Sequence, residues 1–220
     1  MNNAIAAILL RSPVIPVVTL DSAEDAVPLA DCLLAGGISV VEITLRTPEA
    51  LRGIENIAKS RPAIAVGAGT CRTEADLRNC SSAGAAFAVS PGCTPNLLAA
   101  GNRCPIPWLP GAATVSEIMA LAEAGFRTLK LFPAAALGGA GYLQTLSALM
   151  PDMRFCPTGG VTLQNAAEYL ALPNVICVGG SWLVPNEAIR NKDWTTIESE
   201  VKKAAALRRV PGLTSNRNAI

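Results

Sequence analysis

Short apolar runs alternate with helical stretches along this chain. Val14–Leu20 reads as a first strand, followed by a helix from Ser22 to Ala35 that Gly36-Gly37 closes. Ser22 and Asp25 have the N-cap and N3 spacing of a variant capping box. Val40–Leu45 is a second strand, with its helix at Pro48–Ser60 opened by Thr47 as N-cap and Pro48 as N1. Ala63–Ala68 precedes a helix from Thr73 to Ala83, and Phe87–Ser90 precedes the short helix Pro95–Gly101. Ile106–Leu109 is a fifth strand before the helix Thr114–Ala124, and Thr128–Phe132 a sixth before Tyr142–Met150. Arg154–Pro157 leads to Leu163–Leu172 with Thr162 as N-cap, and Val175–Val178 leads to the closing helix Trp194–Leu207.

Eight strand–helix repeats with loops of a few residues imply a parallel sheet covered by helices. An open doubly wound sheet would use fewer strands, so the expected fold is α/β: a closed (β/α)8 TIM barrel. Apolar Ala4–Leu10 adds an N-terminal helix, being too short to cross a membrane and lacking the flanks of a signal peptide. Residues 1–207 are expected to form this single domain, and the polar, unpatterned stretch 208–220 a flexible tail.

Composition narrows the chemistry. Half of the 220 residues are hydrophobic and the net charge is +1, so no basic stripe points to nucleic acid and no polybasic cluster to a membrane. There is no histidine, which removes the commonest general base, His-activated nucleophiles and most catalytic zinc sites. Proton transfer must fall to carboxylate, lysine, tyrosine or cysteine. The seven cysteines are odd in number and form no C-x-x-C, which favours reduced core thiols in a cytosolic protein over a disulfide framework.

Against this background two residues stand out. Lys130 sits in Arg127-Thr128-Leu129-Lys130-Leu131-Phe132-Pro133, within an otherwise apolar strand. Lysine is rarely buried unless paired or functional, and low-dielectric surroundings favour its neutral, nucleophilic form. Of the 17 acidic residues, only Glu42 lies inside a predicted strand. The pair reads either as a structural salt bridge or as an amine nucleophile with a carboxylate for proton transfer. A neutral lysine amine attacks a ketone to form an imine, an electron sink that lets a neighbouring carbon–carbon bond break without metal or cofactor. Arg46 follows Glu42 by four positions, so it faces the same way just past the strand end, either as a rim residue or as a grip on a substrate carboxylate. Gly159-Gly160 and Gly179-Gly180 follow strands seven and eight, where barrels commonly bind phosphate through backbone N–H groups. Tight turns alone would also account for them.

Taken in order, VEITLRT (41–47), VGAGT (66–70), SPG (90–92), LKLFPA (129–134), CPTGGV (156–161) and GGSW (179–182) resemble the 2-keto-3-deoxy-6-phosphogluconate (KDPG) and 4-hydroxy-2-oxoglutarate (KHG) aldolase family over nearly the full chain. The resemblance implies a metal-free, cofactor-free class I aldolase, commonly a cytoplasmic homotrimer, releasing pyruvate from a small keto-acid phosphate. It matches Lys130 to the Schiff-base lysine and Glu42 to the general acid–base. Arg46, Thr70 and Phe132 match residues around the pyruvate moiety, and Pro91 one that lines the site. Thr158, Gly159, Gly160 and Ser181, with Gly180 in the same turn, match the hydroxyl and phosphate end. Some relatives place an arginine just after strand one, where this chain has Val17-Val18-Thr19-Leu20. Phosphate would then rest on backbone donors and Ser181, leaving room for unphosphorylated 4-hydroxy-2-oxoglutarate. The galactonate epimer of the substrate, and a catalytically silent phosphosugar-binding barrel, are the competing readings.

Overall fold

The computed structural model describes residues 2–207; the stretch 208–220, expected above to be a flexible tail, lies outside them. Helix α1 (Asn2–Leu9) leads into β1 (Val14–Val18), α2 (Ala26–Ala35), β2 (Val40–Thr44) and α3 (Ala50–Ser60). Then follow β3 (Ala65–Gly69), α4 (Glu74–Ser82), β4 (Phe87–Val89), α5 (Pro95–Gly101) and the two-residue segments β5 (Trp108–Leu109) and β6 (Gly111–Ala112). The chain continues with α6 (Val115–Glu123), β7 (Thr128–Leu131), α7 (Gly139–Leu149), β8 (Arg154–Pro157), α8 (Ala166–Leu170), β9 (Val178–Gly180), α9 (Asn186–Arg190) and α10 (Trp194–Ala205).

All pairings are parallel. One sheet runs β5-β4-β3-β2-β1-β9 and a second β6-β7-β8. Single bridges from Phe155 to Val175 and from Thr158 to Gly179 join β8 to β9. On the other side Pro110 connects β5, paired to β4, with β6, paired to β7. Eight staves therefore close into the expected barrel. The fifth strand, expected over Ile106–Leu109, starts instead at Trp108, and its stave resumes beyond Pro110 as β6. Proline has no N–H to donate to a ladder, but its carbonyl accepts from Lys130 N at 2.9 Å and ties the stave to β7.

Parallel strands are covered on both faces, which explains their unbroken apolar runs. Every residue of β2, β3 and β7 is buried. Around them the helices bury one face each: α3 turns Ala50, Gly53, Ile54 and Ile57 inward, a three-to-four spacing that keeps them on one stripe.

Several local expectations are corrected. Thr47 does not cap α3, because its hydroxyl donates instead to Leu20 O at 2.6 Å; the helix begins at Ala50 with no side-chain cap. Ser22 caps a short 3-10 turn over Ala23–Asp25 by accepting from Glu24 N, and α2 starts only after it. Thr162 exchanges hydrogen bonds with Asn165, and Asn165 is the N-cap of a shortened α8. The eighth strand is shifted to Val178–Gly180, with Val175 making only a bridge. Helix α9 was not foreseen.

Candidate active site

Alternation along a strand sends every second side chain to one face. In β2 that places Glu42 and Thr44 on one face, toward the same side as Arg46 beyond the strand end. In β7 it brings Lys130 onto the facing wall. The sequence separation of 88 residues collapses to a contact: Lys130 Nζ lies 3.1 Å from Glu42 Oε1 and 3.4 Å from Oε2. Both side chains are almost fully buried, at 7% and 5% exposure. Two charges taken from water cost several kcal/mol each, which a salt bridge offsets only when its geometry is good. Here both carboxylate oxygens reach the one amine, so a proton can pass between the groups with little movement.

The Phe132 ring covers the amine, with its centroid 5.6 Å from Nζ. Phe132 also borders a cavity of about 290 Å³ at the C-terminal ends of the strands, together with Arg46, Thr158, Gly159 and Gly160. The opposite wall carries Gly180 and Ser181. Among the described residues, Arg46 is the only charged side chain on this lining. Gly159 and Gly160 have φ of 93° and 77°, a region L side chains seldom adopt, so this turn requires glycine.

Four expected residues, Glu42, Thr70, Pro91 and Lys130, are not on this lining; Lys130 meets it through the Phe132 ring. Thr70 follows β3 with a φ of 64°, a strained conformation costing about 1–3 kcal/mol for a non-glycine residue. Its neighbour Cys71 pins the turn by donating from N to Val89 O at 3.0 Å. Pro91 follows buried Ser90, and its carbonyl packs so tightly on Gly111 that a Cβ there would fall 2.4 Å away. Gly111 is in turn the register partner of Lys130.

The cavity includes residues that sequence reasoning missed, Val17, Thr19, Val161 and Asn186, and it includes Gly179 of the second Gly-Gly turn. Val17 and Thr19 could have been found by alternation along strand one. Asn186 sits in a five-residue helix, too short to leave a periodic signal. No group of three or more His, Cys, Asp or Glu side chains able to hold a metal ion occurs among the described residues. Nor is any helix among them long and apolar enough to cross a membrane.

The family model for KDPG and KHG aldolase matches residues 5–200. The chain belongs to the KDPG and KHG aldolase family. It is 45% identical to the 2-dehydro-3-deoxy-phosphogluconate aldolase of Pseudomonas aeruginosa over 191 residues, 87% of each chain. It is 45% identical to the KHG/KDPG aldolase of Escherichia coli over 198 residues, 90% of this chain and 93% of that one. Among solved structures, the KDPG aldolase of Legionella pneumophila superposes with a TM-score of 0.90 at 47% identity, covering 91% of this chain and 98% of the other. That enzyme holds pyruvate captured at low pH as a covalent carbinolamine intermediate.

Proposed function

We propose that this family member is a class I aldolase that cleaves 2-keto-3-deoxy-6-phosphogluconate to pyruvate and glyceraldehyde 3-phosphate, and 4-hydroxy-2-oxoglutarate to pyruvate and glyoxylate. The observation that carries the reading is the buried Lys130–Glu42 pair, its amine covered by the Phe132 ring, which borders a cavity that also presents Arg46. Glu42 takes a proton from the ammonium, and the neutral amine adds to the C2 ketone. Loss of water from the carbinolamine leaves the protonated imine. The C4 hydroxyl then gives up its proton, the C3–C4 bond breaks, and its electron pair moves into an enamine as the aldehyde departs. Protonation at C3 and hydrolysis of the imine release pyruvate and restore the lysine.

Glu42 is the acid–base group in this scheme, because no histidine exists and, among the described residues, no other carboxylate pairs with Lys130. Arg46 suits the substrate carboxylate through its planar fork of donors. Thr70, Pro91 and Phe132 shape the pyruvate end. Thr158, Gly159, Gly160, Gly180 and Ser181 serve the hydroxyl and phosphate end, where backbone N–H groups replace a basic side chain. The mechanism uses no metal and no cofactor. Assembly as a cytoplasmic homotrimer follows from the family resemblance and is open to sedimentation.

Borohydride reduction in the presence of pyruvate tests the reading. The wild-type protein is expected to gain one reduced pyruvate on Lys130, located by peptide mass, and Lys130→Ala to gain none and lose cleavage activity. An adduct mapped elsewhere, or full activity in Lys130→Ala, would overturn it.

A further inference from the structure

Thr44 is 1% exposed, and its hydroxyl donates to Val18 O at 3.0 Å. A threonine hydroxyl has one proton. The 2.9 Å contact between Thr44 Oγ1 and Thr19 Oγ1 therefore takes its proton from Thr19. Thr19 is half-buried and borders the cavity, and with its proton engaged it shows only lone pairs to a ligand. Phosphate and carboxylate oxygens are acceptors too, so neither is a partner for it. A ligand hydroxyl is.

The height of Thr19 above the reacting groups narrows the choice. Val17, two residues before Thr19 and on the same wall, is the register partner of Glu42. Thr44 stands two residues beyond Glu42. The Thr19–Thr44 layer thus lies ~6–7 Å further toward the barrel mouth than the layer of the proton-transfer group. If the imine carbon stands at Lys130, this layer meets the part of the substrate beyond the bond that breaks. There the phosphate is an acceptor and the C4 hydroxyl must surrender its proton, which leaves the C5 hydroxyl.

We infer that Thr19 is a specificity-determining residue whose hydroxyl oxygen accepts a hydrogen bond from the substrate's C5 hydroxyl; the inference rests on the aldolase reading above. The test compares kcat/KM for the phosphorylated six-carbon substrate with that for its 5-deoxy analogue, in wild type, Thr19→Val, Thr19→Ser and Thr19→Ala. Wild type and Thr19→Ser are expected to prefer the hydroxylated substrate by about tenfold, the effect of one hydrogen bond in a pocket built for it. In Thr19→Val that preference is expected to collapse toward unity. Thr19→Ala gives the same reading should the valine variant fold poorly. A wild type without preference overturns the inference, as does a valine variant that slows both substrates equally and keeps the ratio. A wild type that cleaves neither substrate and traps no pyruvate would instead overturn the aldolase reading, and the inference with it.

Discussion

At Gly69 a single hydrogen in place of a methyl group decides where the Glu42 carboxylate can stand. A Cβ at this position would fall 2.1 Å from Glu42 Oε1 and 2.6 Å from its Cγ. Gly69 is the register partner of Thr44, in the ladder where Gly67 partners Glu42, and the carboxylate leans across that strand toward Lys130. Alanine at 69 must push Glu42 aside, since β3 is held by its ladder and cannot retreat. Misplacing a proton-transfer group by ~1 Å is enough to cost about 100-fold in rate. Gly69→Ala is therefore expected to lower kcat for pyruvate release by about that factor and to slow imine trapping at Lys130. Wild-type kinetics in this variant would mean that Glu42's position does not limit the reaction.

Where helices begin is a matter of local hydrogen bonding, and α6 shows this most clearly. Thr114 Oγ1 accepts from Glu117 N at 3.3 Å, while the Glu117 carboxylate accepts from Ala113 N at 2.9 Å and Thr114 N at 2.8 Å. Those backbone donors hold the Glu117 carboxyl below its ordinary value of 4.5. A carboxyl depressed in the folded state adds stability that is present above the unfolded value and lost as pH falls through the folded one. The difference in urea midpoint between wild type and Glu117→Gln should accordingly be largest at neutral pH and shrink below about pH 4.5. A difference independent of pH would show that the carboxylate's charge plays no part. Thr114→Ala should cost about 1 kcal/mol by the same assay. This start was legible in the sequence, as was that of α4 at Thr73, because both caps bind only their own first turn. Thr47 reads the same way on paper but is claimed by Leu20 through a contact that no local pattern encodes, whereas Thr162 does bond its own third residue on, Asn165, and the regular helix still starts only at Ala166. The same contrast holds for the site: Lys130 and Glu42 were conspicuous as charges in apolar strands, whereas Thr19 gains its meaning only from Thr44 on the neighbouring stave.

Closure of the barrel makes the core continuous, and the cysteines report on its integrity as a whole. Six of the seven are buried and Cys93 is half-buried, so the expectation of core thiols holds for all but one. Among the described residues no cation favours the Cys93 thiolate. Burial and the negative charge of Glu117 push it up to about 11. At pH 8 only about one molecule in a thousand then carries the reactive thiolate at this site. Labelling by a disulfide reagent in the native state should be slow at Cys93 and should accelerate with pH up to about 11. The buried thiols should react only as fast as the barrel opens. In denaturant all seven are expected to react at once. Rapid native labelling of a second cysteine, located by peptide mass, would reveal a stave or helix that opens independently of the rest. If instead the buried thiols appear together, with one rate that follows global unfolding, the eight staves behave as a single cooperative unit. The contact between Lys130 and Glu42, 88 residues apart in sequence and 3.1 Å apart in space, would then form and break with the whole barrel.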